Sequence, residues 1–191
     1  AFCKTSISFR YPAVEILSGI FACFFFSQFG LSVVFFKLTY LALLMLVLSF
    51  IDFQKHLIPN RIVFFSFPFA ILFSVLEGKP SIIDSILGFL IGGLGLWAVW
   101  YIGHLIYKRD GIGGGDIKLA ALLGVFIGWK LLLLTVFTSF ILISAIGWFG
   151  IITRRLSRNS EIPLAPFLTV AIWINVFYGL DIIRWYIAFI T

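Results

Sequence analysis

Long apolar runs alternate with short polar stretches along the whole chain. A run of about 17 to 25 apolar residues is long enough to cross the hydrocarbon core of a bilayer as an α-helix. The pattern predicts seven such segments, the fifth of them short, at 13–28, 31–51, 60–76, 82–106, 117–129, 131–153 and 164–180. The predicted fold is therefore all-α, a polytopic membrane helix bundle.

The composition supports this fold class. Hydrophobic residues make up 62% of the 191-residue chain and charged residues 12%, and the mean hydropathy is +1.14. Soluble domains contain only about 45 to 50% apolar residues. The net charge of +6 does not indicate nucleic acid, because the Lys and Arg residues of a polytopic protein report its orientation in the membrane. We expect the lipid bilayer, and not nucleic acid, to surround the chain.

The basic residues are distributed unevenly between the two predicted membrane faces. If successive segments cross the membrane in opposite directions, most of the basic residues lie on one face: Lys4, Arg10, Lys55, Arg61, Lys108, Arg109, Lys118, Arg154, Arg155 and Arg158. The other face receives Lys37, Lys79, Lys130 and Arg184. The positive-inside rule makes the first face cytoplasmic and places the amino terminus there.

One acidic residue, Asp52, opens the segment DFQKHLIPN between the second and third spans. Pro59 cannot continue a regular helix and favours extended geometry at Ile58, so the segment is predicted to be a short hairpin. Asp52 lies near the carboxyl end of its predicted helix, where the helix dipole disfavours an anion. A solvated loop carboxylate that faces Lys55 or Arg61 is the alternative to a functional group.

A second acidic residue, Asp116, follows a glycine-rich loop that has four glycines within positions 111–115. Glycine permits positive φ and close approach of another backbone. Asp116 also precedes the apolar run IKLAALLG, where it would serve as a helix N-cap, and this structural alternative stays open. A nucleotide-binding loop is excluded, because GIGGGD lacks the last glycine of GxGxxG and no GxxxxGK[ST] is present.

Other polar and small residues suggest less chemistry. Cys3 and Cys23 lie in a tail and in a predicted span, so both are predicted to be thiols. His56 and His104 have no third ligand nearby in sequence, and no metal site is predicted. Glu15, slightly inside the first span, is a candidate supporting residue.

Glycine pairs occur within two of the predicted spans. One pair consists of Gly88 and Gly92, and the other of Gly124 and Gly128. Small residues spaced by four let membrane helices approach closely. We expect these glycines to be packing positions.

Two carboxylates on one membrane face are typical of an aspartic protease. Close carboxylates share a proton, so one can act as general base toward water and the other as general acid. Such a dyad needs neither a metal nor a nucleophilic Ser or Cys. Two other classes remain: an ion-coupled transporter that uses Asp52 and Asp116 as its ion site, and a non-catalytic membrane scaffold in which Asp116 caps a helix.

Four blocks, in order, resemble the type IV prepilin peptidases, also called prepilin leader peptidase/N-methyltransferases. They are ISFRYPAVEIL, the Asp52 hairpin, the GxGD-type block GGGDIKLAALLGVFIGW, and IPLAPFLTVA. The resemblance implies an aspartic endopeptidase of the bacterial inner membrane. It would remove the short basic leader of prepilins and pseudopilins after a glycine at the cytoplasmic face. Asp52 and Asp116 would be its catalytic dyad, and Gly113, Gly114, Gly115 and Lys118 its active-site loop.

The same resemblance implies a second activity for the intact protein. Family members methylate the new N-terminus with S-adenosylmethionine, and many carry a zinc-binding domain with two CxxC pairs before the RYP segment. Residues 1–12 are interpreted as a remnant of that domain, with Cys3 as one former ligand, and 13–191 as the membrane peptidase domain. Zinc and S-adenosylmethionine are expected only in the intact protein, with no cofactor for peptide cleavage. The sequence assigns no methyl-donor site, no acid and base roles, and no oligomeric state.

Overall fold

A computed structural model describes residues 10–107, 113–155 and 162–190. These ranges contain helices and no β-strand. The α-helices are α1 Arg10–Phe29, α2 Val33–Lys55, α3 Asn60–Glu77, α4 Ile82–Leu90, α5 Leu96–Tyr107, α6 Gly114–Ile152 and α7 Ala165–Ile190. A π-helical turn, Ile91–Gly95, connects α4 to α5. The predicted all-α bundle is confirmed.

The chain is a multi-pass membrane protein. Five helical stretches of the described residues are long and apolar enough to cross a bilayer. Helix α7 adds a shorter apolar stretch, Ala165–Gly179. The sequence predicted that this span ends at 180, but α7 continues to Ile190. Asp181 and Arg184 interrupt the apolar run without ending the helix, because they lie one turn apart and approach to 3.8 Å on its exposed surface.

Helix α6 consists of two arms that meet at Gly128. This residue has φ 77° and ψ 165°, which is not helical. The first arm begins beside the α2–α3 hairpin and reaches the α3–α4 connection, where Gly128 lies against Pro80. The second arm returns alongside α7, with Gly147 against Ile162. The two arms correspond to the short fifth and the sixth predicted segments, and a side chain at Gly128 would be strained.

The predicted glycine packing is confirmed where α4 crosses the first arm of α6. A Cβ atom on Gly88 would overlap the carbonyl group of Gly124, and one on Gly124 would overlap that of Gly88. One turn along, Gly92 faces the backbone of Ala120. These glycines allow the two backbones to touch, which places the start of α6 firmly against the rest of the bundle.

Buried apolar side chains of α2, α6 and α7 form the core below the aspartate end of the bundle. They include Leu41, Met45, Leu48, Leu119, Leu122, Leu123, Phe126, Leu168 and Ile172. Helix α1 packs on the outside through aromatic contacts, with the Phe25 ring tilted against that of Trp173 of α7 at 5.2 Å between ring centroids. This core fixes the end of α2 relative to the starts of α6 and α7.

A partly buried ion pair marks the opposite end of the bundle. The Lys37 ammonium group lies 2.7 Å from a Glu77 carboxylate oxygen and also donates to the carbonyl oxygen of Lys79 at 2.7 Å. It joins the start of α2 to the end of α3. Lys37 and Lys79 therefore share one end of the bundle, as the topology prediction requires.

Candidate active site

Asp52 lies in the last turn of α2 and is buried, with 4% of its surface exposed. Its Oδ2 atom accepts a hydrogen bond of 2.9 Å from the backbone N–H of Ala165, the first residue of α7. The amino end of a helix carries unpaired N–H groups and a positive dipole, both of which favour a carboxylate. The alternative interpretation, a solvated carboxylate facing Lys55 or Arg61, is wrong: both of those residues are exposed while Asp52 is not.

Hydroxyl groups one turn away join α2 to α7. The hydroxyl oxygens of Ser49 and Thr169 lie 2.6 Å apart. Thr169 Oγ1 also lies 2.9 Å from the carbonyl oxygen of Ala165, and Ser49 Oγ lies 2.6 Å from that of Met45. Each hydroxyl has one proton, so one of them donates to its carbonyl oxygen and the other donates to the first hydroxyl. These bonds hold the two helices together next to the contact between Asp52 and Ala165.

Asp116 is the third residue of α6, and Gly113 is the N-cap. The Asp116 Oδ2 atom accepts a hydrogen bond of 3.1 Å from the Gly113 N–H, while the Asp116 N–H donates to the Gly113 carbonyl at 3.0 Å. The sequence placed Asp116 at the N-cap itself, and this position was wrong by one turn. Its carboxylate nevertheless caps α6, as the glutamate of a capping box does.

The glycine loop meets the hairpin at Gly115. A Cβ atom at this position would lie 2.8 Å from the Cβ atom of Ile58, which is too close without a shift. A Cβ atom at Gly114 would meet nothing within 4 Å. None of Gly113, Gly114 and Gly115 has a positive φ, so these three do not use the left-handed conformation that glycine permits. Close approach is the property that this loop uses.

The structure brings together the two segments that carry the carboxylates, because Gly115, next to Asp116, packs on Ile58 of the hairpin that Asp52 opens. The negative charge of Asp52 acts on the carboxyl group of Asp116 across the site. No ion pair joins either carboxylate to a Lys or Arg of the described residues. The amino ends of α6 and α7 converge here instead, and their N–H groups and dipoles supply the compensating positive potential.

Lys118 and Glu15, the two candidate supporting residues, do not contact either aspartate through a hydrogen bond in the described part of the chain. The Lys118 ammonium group donates to Asn60 Oδ1 at 2.9 Å and lies over the Phe64 ring, 5.8 Å from its centroid. It connects the start of α6 to the start of α3. Glu15 is exposed on α1, and no hydrogen bond or ion pair of the described residues joins it to either aspartate.

Sequence reasoning missed Asn60 and Ala165 as site residues. Asn60 follows the proline of LIPN, and Ala165 precedes Pro166 in IPLAPF. Both are first residues of helices. A proline at a helix start indicates where the helix begins. It does not indicate that the Ala165 N–H group donates to Asp52.

The described residues provide no set of ligands for a metal ion. They contain no group of three or more His, Cys, Asp and Glu that could hold a metal ion. Cys23 is an exposed free thiol. Cys3, the predicted remnant zinc ligand, lies outside the described residues, as do Lys108 and Arg109.

A model of the type IV leader peptidase family matches residues 39–149 and so includes both aspartates. The chain belongs to this family. No solved structure matches it significantly. The match extends over the α2–α3 hairpin, the glycine loop and both arms of α6, which is the part of the chain that forms the carboxylate pair.

Curated relatives extend the similarity over nearly the whole chain. The Pseudomonas putida prepilin leader peptidase/N-methyltransferase is 33% identical over 180 residues, which cover 94% of this chain and 62% of the relative. The Aeromonas hydrophila protein of the same name is 31% identical, with 97% and 64% covered. The Bacillus subtilis one is 33% identical, with 97% and 73% covered. The chain therefore spans less than two thirds of the length of the first two relatives.

Proposed function

We propose that this chain is the peptidase part of a prepilin leader peptidase, an aspartic endopeptidase that removes the short basic leader from type IV prepilins and pseudopilins. One observation supports it most. Asp52 and Asp116, on different helices, lie together at the converging amino ends of α6 and α7. Family membership makes peptide cleavage the chemistry to expect of that pair.

The proposed reaction is hydrolysis by acid–base catalysis. The ionised carboxylate takes a proton from water as the water oxygen bonds to the scissile carbonyl carbon. The protonated carboxyl group donates to the carbonyl oxygen, and as the C–N bond breaks a proton passes to the leaving amine. Asp52 and Asp116 repel each other when both are ionised, which favours the singly protonated pair that this mechanism needs.

Backbone groups hold the pair in place. The N–H groups of Ala165 and Gly113 each occupy one carboxylate oxygen. Lys118 and Asn60 join the helices around the pair. The loop of Gly113, Gly114 and Gly115 adds no side-chain bulk, so an extended substrate backbone with a glycine before the cleaved bond can approach closely.

The distribution of basic residues supports a cytoplasmic site in the bacterial inner membrane. Lys55, Arg61 and Lys118 lie at the aspartate end of the bundle, and Lys37 and Lys79 at the other. The positive-inside rule makes the aspartate end cytoplasmic. Within this proposal residues 13–191 are the membrane peptidase domain.

N-methylation belongs in this proposal to the intact protein, with S-adenosylmethionine as methyl donor. Three cavities among the described residues are lined mainly by apolar side chains, and these do not suit a charged nucleoside. The described residues also lack a zinc ligand set. We therefore derive no step through either group from this chain.

A scaffold function is the second candidate, because both carboxylates do cap helices. A scaffold needs only the capping hydrogen bonds, which an amide oxygen can also accept. A transporter function has less support. Carriers place coupling sites near the bilayer midplane, whereas Asp52 and Asp116 lie at helix ends.

Reconstitution with a substrate tests the proposal. The purified chain in liposomes should shorten a prepilin by the mass of its leader, and it should leave intact a control prepilin in which valine replaces the glycine before the cleaved bond. A folded chain that leaves the prepilin intact contradicts the peptidase. Proton or sodium flux without cleavage in the same liposomes would favour the carrier.

Gly115→Ala should separate the aspartates at some cost in stability, because the new methyl group meets the Cβ atom of the buried residue Ile58. The added Cβ displaces Ile58, and a shift of this kind in a catalytic pair should lower kcat by at least about tenfold. Gly19→Ala on α1 is the matched control, because a Cβ there also meets nothing within 4 Å and α1 carries neither aspartate. Cleavage kinetics of both variants, with thermal unfolding, check the prediction. Equal rates in the two variants would contradict it.

A further inference from the structure

Two apolar cavities lie along the outer surface formed by α3, α4, α5 and the first arm of α6. The cavity nearer the aspartates measures about 410 Å³ and the farther one about 480 Å³. Both are lined by Phe67 and Phe89, whose ring centroids are 5.7 Å apart. The two cavities are thus adjoining parts of one surface channel, here named the α3–α5 groove.

The groove begins at the catalytic end and runs into the membrane. Ile117 and Lys118, which directly follow Asp116, line its first part. Along α3 it extends from Phe64 to Val75. That distance is about 16 Å at 1.5 Å per residue, or roughly half the hydrocarbon thickness of a bilayer. A helix laid in the groove would contact it over about eleven residues.

Two small residues, Gly93 and Ala121, make room for a helix on the floor of the groove. Ile117, Ala121 and Val125 form a stripe at helical spacing on the first arm of α6. Opposite Ala121 lies Gly93 of the π-helical turn, where a Cβ atom would be 3.6 Å from the Ala121 Cβ atom. π-helical turns occur frequently at functional sites. Any longer side chain at position 93 would project into the groove.

The polarity of the groove changes along its length. Lys118 is the one charged residue that lines it, and it lies at the aspartate end. Beyond Lys118 the lining is apolar apart from two serines of the farther cavity. The apolar part suits the hydrophobic amino-terminal helix of a prepilin, which follows the cleaved bond, and the basic leader before that bond stays outside the groove, because it would be repelled by Lys118.

We propose that the α3–α5 groove seats the first turns of the apolar helix that follows the cleaved bond in the substrate. The proposal rests on the peptidase function proposed above. It assigns Gly93 and Ala121 as residues that determine specificity, because their small size admits the helix. A lipid acyl chain is the competing occupant.

Paired glycine variants test the groove by kinetics. Gly93→Leu fills it, whereas Gly95→Leu makes the same change two residues away at a position with nothing within 4 Å. Each variant is given a full prepilin and a short peptide that spans only the cleavage junction. Gly93→Leu should raise KM for the prepilin by at least about tenfold, as expected for overfilling a packed site, and leave the peptide unaffected. Gly95→Leu should match the parent with both substrates.

The outcomes distinguish a failure of the groove proposal from a failure of the proposed peptidase function. If the parent cuts both substrates and Gly93→Leu does too with unchanged KM, the groove proposal is overturned and the peptidase remains. If the parent cuts neither, the peptidase function fails.

Photo-crosslinking decides the occupant without cleavage or a bulky substitution. A benzophenone amino acid replaces Leu94, which lines the groove and is 61% exposed, or Ile16 on α1, which is also 61% exposed. With Asp116→Asn present to prevent turnover, crosslinks from position 94 should reach the substrate helix, and those from position 16 only lipid. Lipid adducts alone from position 94 would overturn the proposal.

Discussion

Asp52→Asn and Asp116→Asn should each lower the rate of leader cleavage by at least about a hundredfold while the chain remains folded. An amide cannot take or give the proton at neutral pH, and general acid–base catalysis contributes about 10² to 10⁴ per group. The amide oxygen can still accept the hydrogen bond from Ala165 or Gly113 that the carboxylate accepts now. The capping role therefore survives the change, and only the chemistry is lost.

Asp84→Asn is the matched control for these variants. Asp84 is also the third residue of a helix: its carboxylate bonds to its N-cap, Ser81, and accepts from the Trp129 indole at 3.0 Å. It lies at the opposite end of the bundle, so Asp84→Asn should cut at the parent rate. Quantified cleavage beside thermal unfolding checks all three variants. Parent activity in either folded catalytic-site variant would make that aspartate structural.

Gly124→Ala should destabilise the bundle more than any other methyl addition considered for this chain. The new Cβ would occupy the position of the Gly88 carbonyl group. The obstacle is backbone within a helix and cannot rotate away, so α4 and the first arm of α6 must separate. We expect a loss of about 3 kcal/mol in the free energy of unfolding, or on the order of 10 °C in Tm.

Gly103→Ala controls for the intrinsic effect of replacing glycine in a helix. A Cβ at Gly103 of α5 meets nothing within 4 Å. Alanine favours the helix by about 0.5 to 1 kcal/mol over glycine, so this variant should be neutral or slightly more stable. Thermal unfolding in one detergent compares the two. A Gly124→Ala protein as stable as Gly103→Ala would refute the backbone contact.

Much of the fold was predictable because the signals are local. Apolar run length predicted the helices, and the break in α6 falls at Gly128, near the gap between the fifth and sixth predicted segments. The end of α7 was not predictable from apolarity, because Asp181 and Arg184 pair on the exposed surface of a continuing helix. Charge interrupts a hydropathy pattern, but it does not by itself end a helix.

The candidate site was predictable in its residues and not in its surroundings. Asp52 and Asp116 stood out because charges are rare in such a chain. The groups that stabilise their negative charge were not predictable, because Ala165 contributes only a backbone N–H. The contact of Gly115 with Ile58 was not predictable either, because it depends on the absence of a side chain. The sequence suggested nearby cations, whereas the structure supplies helix amino ends.

The rate of the double variant, Asp52→Asn with Asp116→Asn, tests the catalytic pair most directly. Single-turnover cleavage is measured for the parent, both single variants and the double variant, with long incubations to reach slow rates. Two carboxylates that act as one unit predict a double variant no slower than the slower single variant, within about threefold. Losses that multiply would mean independent roles, and would contradict the pairing of Asp52 with Asp116.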